Sequence, residues 1–282
     1  MATAVIEDVS DTALWVAAYR AQESERPDAL FRDRLAARLT GERGRNIAKA
    51  MGRGRYVAWM VVVRTCIIDA FINELVAQGV DTIVNLGAGL DTRPYRLALP
   101  SSVRWIEVDY AKLVDLKEAR LSDEKPRCHL ERVRLDLADR PARRKFFDEV
   151  SARSKKVAVL TEGVIPYLNN DEVASLAEDL RAHANFRFWI ADYFVPTLLR
   201  LIRRTGLARR RMKNAPIQFY PQEPFSFFGA HGWKERETRY LGVEAKKLGR
   251  PFPRSWWIGF LLAFVPKDKR NKLRGYTLLE PN

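Results

Sequence analysis

The stretch Val80 to Arg96, VDTIVNLGAGLDTRPYR, constrains the fold of this chain more than any other. Thr82 to Leu86 is a short apolar run rich in β-branched residues, as a buried strand requires. Gly87-Ala88-Gly89 follows, where two glycines let the backbone turn sharply and approach a ligand with no Cβ in the way. Asp91 or Thr92 then stands where an N-cap opens a helix. Strand, glycine turn and helix N-terminus form the cradle that doubly wound α/β folds offer to nucleotide-like cofactors. Taken alone, a G-x-G is equally an ordinary tight turn.

A second apolar run, Val103 to Val108, ends at Asp109, about 20 residues beyond Gly89. At that spacing an acidic group on the tip of the second strand meets ribose hydroxyls, and one carboxylate can accept from both. Asp109 capping the following helix is the alternative, and Glu107, on the opposite face from Val108, is a weaker candidate for the ribose. A dinucleotide fingerprint needs a third glycine where this chain has Thr92. Asp91 would repel a pyrophosphate but favours the sulfonium and amino groups of S-adenosylmethionine. The pattern therefore favours the methyl donor over NAD.

NLGAGLDTRPYR, WIEVDYAKLVDLKEARL and LTEGVIPYL, in this order and spacing, resemble the leucine carboxyl methyltransferase family and its bacterial branch, which includes polyketide O-methyltransferases. SDTALWVAAYRAQESERPDALFRDRLA is similar to the start of those bacterial members, and the resemblance runs from about Ser10 to Asp192. It implies a Rossmann-like, mostly parallel seven-stranded sheet with an N-terminal helical lid and an insertion before the last antiparallel strands. The expected division of a single 282-residue domain is a cap over 1–54, a cofactor-binding core over 55–195, a lid or substrate insertion over 196–235 and closing strands over 236–282.

An apolar fraction of 47% is enough for a full hydrophobic core. Cys66 and Cys128 have neither metal nor disulfide spacing, and no metal is expected. No basic start and apolar h-region open the chain, and the apolar stretch Val57 to Val76 is interrupted by Arg64, Asp69 and Glu74. A cytoplasmic protein without membrane insertion is expected. The net charge of +14 raises the question of an acidic partner. Much of it is crowded into Arg200 to Lys213 and Lys267 to Arg274, without interleaved aromatics, which suits a solvated or anion-steering face better than a nucleic-acid surface.

Along the chain, Asp11 to Gln22 and Ala29 to Leu39 read as short helices, and Gly41 to Gly54 as a mobile glycine- and arginine-rich connection. Tyr56 to Ala77 is a helix with an apolar stripe on which Arg64 also falls. A guanidinium there is either a structural ion pair or a bidentate clamp on a carboxylate. The resemblance implies the latter, on the methionine moiety. Asp69 and Glu74 are expected to be exposed. Leu130 to Leu137 reads as the third strand, with Asp136 and the backbone N–H of Leu137 placed to read the adenine edge, unless Asp136 is an ordinary turn aspartate. Lys156 to Leu160 is the central strand that delivers Glu162 to the carboxyl edge, with Tyr167 beside the transfer point or simply packed there.

Asn169 and Glu172 form a capping box, and Phe186 to Phe194 is the fifth strand. Phe219, Tyr220, Phe225, Phe227 and Phe228 either wall an apolar pocket or join the core, and His231 is a candidate general base for a hydroxyl acceptor. Thr238 to Gly242 and Trp256 to Pro266 are the expected closing strands. The expected activity is transfer of a methyl group from S-adenosylmethionine to a carboxylate or hydroxyl oxygen of a small molecule. Gly87, Ala88, Gly89, Asp91, Asp109, Asp136, Leu137, Glu162 and Arg64 are the expected cofactor residues, and Tyr167 and His231 the expected acceptor-side residues. A protein-terminus or nucleic-acid acceptor, or a non-catalytic relative, is the alternative.

Overall fold

The computed structural model describes residues 9–50, 55–195, 217–253 and 270–282. Seven strands form one sheet: β1 Thr82–Leu86, β2 Arg104–Asp109, β3 His129–Arg134, β4 Val157–Thr161, β5 Phe186–Phe194, β6 Trp233–Tyr240 and β7 Arg274–Pro281. Their order is β3-β2-β1-β4-β5-β7-β6. The first five are parallel, with β1 paired to β2 on one side and β4 on the other. The β7–β6 pair runs antiparallel, since Asn282 N–H donates to Gly232 O at 3.1 Å while Gly275 lies against the Arg239 carbonyl. The winding reverses between β1 and β4, and in open α/β sheets ligands bind at the carboxyl ends beside such a switch point.

Local sequence explains the strands. β1 and β4 are buried at every position, as continuous apolar runs covered on both faces should be. The edge strand β6 exposes Lys234, Glu235, Arg236 and Glu237, charges that deter pairing with another sheet. β3 is shorter than the predicted run, ending at Arg134, so Asp136 and Leu137 lie in the loop beyond it. The closing strands differ more: β6 begins at Trp233, and β7 lies within the 236–282 segment but beyond the two runs named there as strands. Trp256 to Pro266 lies outside the described residues, as do Arg200 to Lys213 and the first three residues of the second basic run, 267–269.

Two compact units share this architecture. The first comprises described residues up to Ile68, Tyr193–Val195, 238–253 and 270–276; the second comprises Asp69–Asp192, 217–237 and 277–282. In the first, helix α1 (Val9–Ser24) packs on α2 (Ala36–Ala50). Gly44 permits the close crossing, for a Cβ there would stand 2.8 Å from the Leu14 carbonyl oxygen. The predicted helix at Ala29 begins only at Ala36, and Gly41 to Ala50, expected as a connection, is helical beyond a kink at Gly41 (φ 59°). Positive φ suits glycine, so the kink stays without ending the helix. Arg250 ties its segment to the cap by pairing with Glu23 and Asp28, and its carbonyl accepts from Trp59 Nε1 at 2.8 Å.

Helix α3 (Arg55–Ala77) is buried almost all round between Trp59 and Thr65, so the single apolar stripe understates its burial. In the second unit, α4 (Arg93–Arg96), α5 (Ala111–Arg120), α6 (Arg140–Ala152) and α7 (Asn170–Arg181) connect the parallel strands. The capping box opens α7 as expected, with Asn169 Oδ1 accepting from Glu172 N–H and Glu172 Oε2 from Asn169 N–H. Helix α8 (Pro224–Ala230) precedes β6, and α9 (Leu241–Lys247) follows it. Phe219 and Phe228 belong to the core, where Phe228 packs edge-on to Trp189 with ring centroids 5.3 Å apart. The structure thus decides for core at these two positions.

Candidate cofactor site

The glycine turn is built as a rigid corner. Gly87 and Gly89 have φ of 65° and 48°, which L side chains rarely adopt. Gly87 and Ala88 N–H donate to Val108 O at 2.8 and 3.1 Å, tying the turn to β2. A Cβ on Gly87 would stand 2.4 Å from Val164 Cγ2, so this glycine also admits the loop after β4. From the end of β2, Asp109 completes the corner. Its Oδ2 accepts Gly89 N–H at 2.6 Å and its Oδ1 accepts Tyr110 N–H at 2.7 Å. Each carboxylate oxygen keeps a second lone pair for a ligand hydroxyl. Asp109 is 8% exposed; burial raises its pKa, opposed by the two backbone N–H groups and by Lys117.

Tyr110 follows at once and is 51% exposed, unusual for a large ring. Burial of its remainder and a hydrogen bond with Asp136 raise its pKa. Asp136 is exposed in the loop after β3, and its Oδ1 accepts Ala138 N–H at 2.9 Å, which makes it a turn aspartate as well as a neighbour of Tyr110. The Leu137 carbonyl accepts from the buried Arg143 guanidinium at 2.7 Å, which fixes the loop. Tyr110 was not among the residues singled out from sequence. Its signal was an aromatic immediately after the acidic strand end, in WIEVDY.

Three expectations are corrected. Helix α4 has only four residues, and the Thr92 side chain makes no capping bond, so no extended helix field acts at the turn. Asp91 and Glu162, the carboxylates expected at a cofactor's positive end, share one guanidinium. Arg93 Nη1 donates to Asp91 Oδ2 at 2.8 Å and to Glu162 Oε2 at 2.7 Å, while its Nε donates to Asp69 Oδ1 at 2.7 Å. Asp69 also accepts from Arg96 Nη2 at 2.8 Å, so it is a partner in this cluster and not an exposed residue. Asn85 Nδ2 donates to Asp91 Oδ2 at 2.9 Å. Glu107 is likewise committed, to Lys117 Nζ at 2.6 Å and Arg132 Nε at 2.9 Å, which removes it as a ribose candidate.

The remaining candidates separate. Tyr167 ends a 3-10 turn (Ile165–Tyr167) just beyond Gly163 and is half-buried. Asp192, 3% exposed at the end of β5, accepts Gly163 N–H at 2.8 Å and adds a further carboxylate at that edge. His231 is placed elsewhere: its Nδ1 lies 3.2 Å from Glu178 Oε1, in the last turns of α7, where the helix has returned to the edge at which β5 begins. The carboxyl ends of β1, β2 and β4 are at the opposite edge, so the structure does not bring His231 to them. Arg64, 7% exposed on α3, belongs to the first unit.

The donor set fits an adenosyl cofactor carrying positive charge. A carboxylate at the β2 tip, an exposed ring beside it and an acidic loop suit a nucleoside, and the carboxylates beyond β1 and β4 suit a cation. The buried Asn85 Oδ1 has no donor among the described residues, an orphaned acceptor beneath the same turn. Among the described residues, no three His, Cys, Asp or Glu side chains are grouped to hold a metal, and no helix is long and apolar enough to cross a membrane.

A doubly wound sheet in this strand order, with a glycine turn and an acidic strand end at its switch point, is the fold of the Rossmann-like methyltransferase class. Within that class the chain belongs to the leucine carboxyl methyltransferase family, whose model matches residues 13–181. A Streptomyces coelicolor protein that bears the name of an S-adenosyl-L-methionine-dependent methyltransferase is 30% identical over 258 residues, covering 85% of this chain and 88% of that protein. A Frankia alni protein of the same designation is 31% identical, covering 85% and 87%. A solved Thermobifida fusca structure described as a methyltransferase aligns with TM-score 0.58 at 18% identity, over 86% of this chain and 89% of that one, a likeness of fold.

Proposed function

We propose that this protein transfers the methyl group of S-adenosylmethionine to an oxygen, carboxylate or hydroxyl, of a small-molecule acceptor. The cofactor supplies an electrophilic methyl on a sulfonium. The observation that carries this reading is Asp109, a buried carboxylate locked to the Gly89 N–H at the sheet's switch point. Asp109 would hold the ribose hydroxyls, Tyr110 would offer its ring to the adenine, and Asp136 with the Leu137 N–H would hold the adenine edge. Relatives named for the same cofactor support the assignment.

When bound, the cofactor would supply the methyl to an acceptor oxygen, with the C–S electron pair left on sulfur. The chain's main contributions are therefore alignment and exclusion of water. A carboxylate acceptor is nucleophilic as it stands. A hydroxyl acceptor must also release a proton, and Tyr167, beyond Gly163, is the side chain proposed beside that oxygen. Calorimetric titration with S-adenosylhomocysteine, with NAD as control, tests the reading. Micromolar binding of the former alone supports it and justifies a mass-spectrometric screen of carboxylate and phenol acceptors. Absence of binding, or binding of NAD instead, overturns it.

A further inference from the structure

The arginines of DTRPYR have no part in the cofactor reading above, yet Arg93 is among the most buried charges in the chain, with its side chain 2% exposed. Its guanidinium gathers carboxylates from three separate elements: Asp69 of α3, Asp91 of the loop after the glycine turn and Glu162 at the end of β4. Arg93 N–H also donates to Asp91 Oδ1 at 2.9 Å, so Asp91 is held from both sides of the same residue. Three carboxylates this close would repel one another strongly without the guanidinium between them. Burial works against the Arg93 charge, but Asp91, Glu162 and Asp69 outweigh it and keep the group protonated.

We propose that Arg93 is a positioning residue that sets the Glu162 and Asp91 carboxylates at the carboxyl edge of β1 and β4 for the charged, amino-acid end of the cofactor. This inference rests on the donor reading given above. The fork geometry matters as much as the charge. Arg93 spans Asp69 with Nε and both Asp91 and Glu162 with Nη1, whereas a lysine offers one compact ammonium and cannot hold three acceptors in the same directions. The bond to Arg93 engages Glu162 Oε2, and a carboxylate presents about four lone-pair sites over its two oxygens. Glu162 is thereby aimed rather than consumed.

The test compares S-adenosylhomocysteine with 5′-methylthioadenosine, which shares the adenosyl group but lacks the amino-acid end. Titration of purified Arg93→Lys is expected to show S-adenosylhomocysteine weakened by about ten- to a hundredfold, the range for a disturbed charged hydrogen bond, with methylthioadenosine changed by about twofold or less. Glu162→Gln, which keeps the side chain's shape, should show the same selective loss. In the Glu162→Gln background, Arg93→Lys should then cost less than it does alone, because Glu162 is one of the two carboxylates that it sets. Equal losses for both ligands, or independent effects that multiply in the double variant, would overturn the positioning role. Should Arg93→Lys fail to fold, an unselective loss in Glu162→Gln overturns it equally. Failure of the unaltered protein to bind S-adenosylhomocysteine would instead overturn the donor reading itself.

Discussion

Replacing Asp109 separates stability from binding. Its carboxylate holds the Gly89 and Tyr110 N–H groups at 2.6 and 2.7 Å, and it is assigned the ribose hydroxyls as well. A hydrogen bond to a charged acceptor contributes about 1.5–3 kcal/mol. Asp109→Ala removes the ribose contact and frees the turn, so S-adenosylhomocysteine should bind about 2–4 kcal/mol more weakly, roughly 30- to 1000-fold. Asp109→Asn retains one acceptor oxygen but turns an amide toward a backbone donor, and should lose a comparable amount. Stability responds differently. Burial raises the Asp109 pKa, so the folded state holds this proton more tightly than the unfolded chain does. That contribution is fully present below the unfolded value and lost as pH rises through the raised folded value. Melting curves of the parent relative to Asp109→Asn should therefore favour the parent increasingly as pH is lowered through the carboxylate range. Calorimetry at neutral pH gives the binding half of the answer. An affinity within about twofold of the parent for Asp109→Ala, where the loss expected is far larger, would refute the assignment.

Other perturbations probe the surrounding frame. Gly87→Ala places a Cβ 2.4 Å from Val164 Cγ2 at φ 65°, and should lower stability by about 1–3 kcal/mol in urea unfolding. Gly79→Ala, at φ 85° with open space around it, should cost only the backbone part, so equal losses at the two positions would deny the packing role. Lys117→Met leaves the buried Glu107 with Arg132 as its remaining cation of the pair, and should destabilise by about 3–5 kcal/mol without altering cofactor affinity in protein that stays folded. His231→Ala should leave S-adenosylhomocysteine binding and methyl transfer within about twofold, since the ring pairs with Glu178 at the other edge of the sheet; a tenfold loss of turnover would return it to the site.

The glycine corner was legible because its signals are local. Alternating or continuous apolar runs report strands, paired glycines report a corner, and the interval between consecutive parallel strands is set by one crossover, so Asp109 could be placed against Gly89 without coordinates. Tyr110 escaped because exposure of an aromatic is a property of its surroundings, and nothing in WIEVDY distinguishes a wet ring from a packed one. The same limit applied to Phe228, whose neighbour Trp189 lies 39 residues away in sequence. That His231 stands away from the carboxyl ends of β1, β2 and β4 was not legible either, because the return of α7 across the sheet brings it to Glu178.

The sequence by itself determined the strand and glycine turn with the acid that meets it, the capping box at Asn169 and the family to which the chain belongs. Each of these rests on spacing within a few residues or on the order of short motifs. Only the tertiary structure decided which charges serve a ligand and which serve one another. Asp69, Asp91 and Glu162 lie 24, 2 and 69 residues from Arg93, yet meet on one guanidinium. The physical reason is burial: a carboxylate taken from water must find a cation or hydrogen-bond donor, and which one it finds depends on how β1, β4 and α3 pack together.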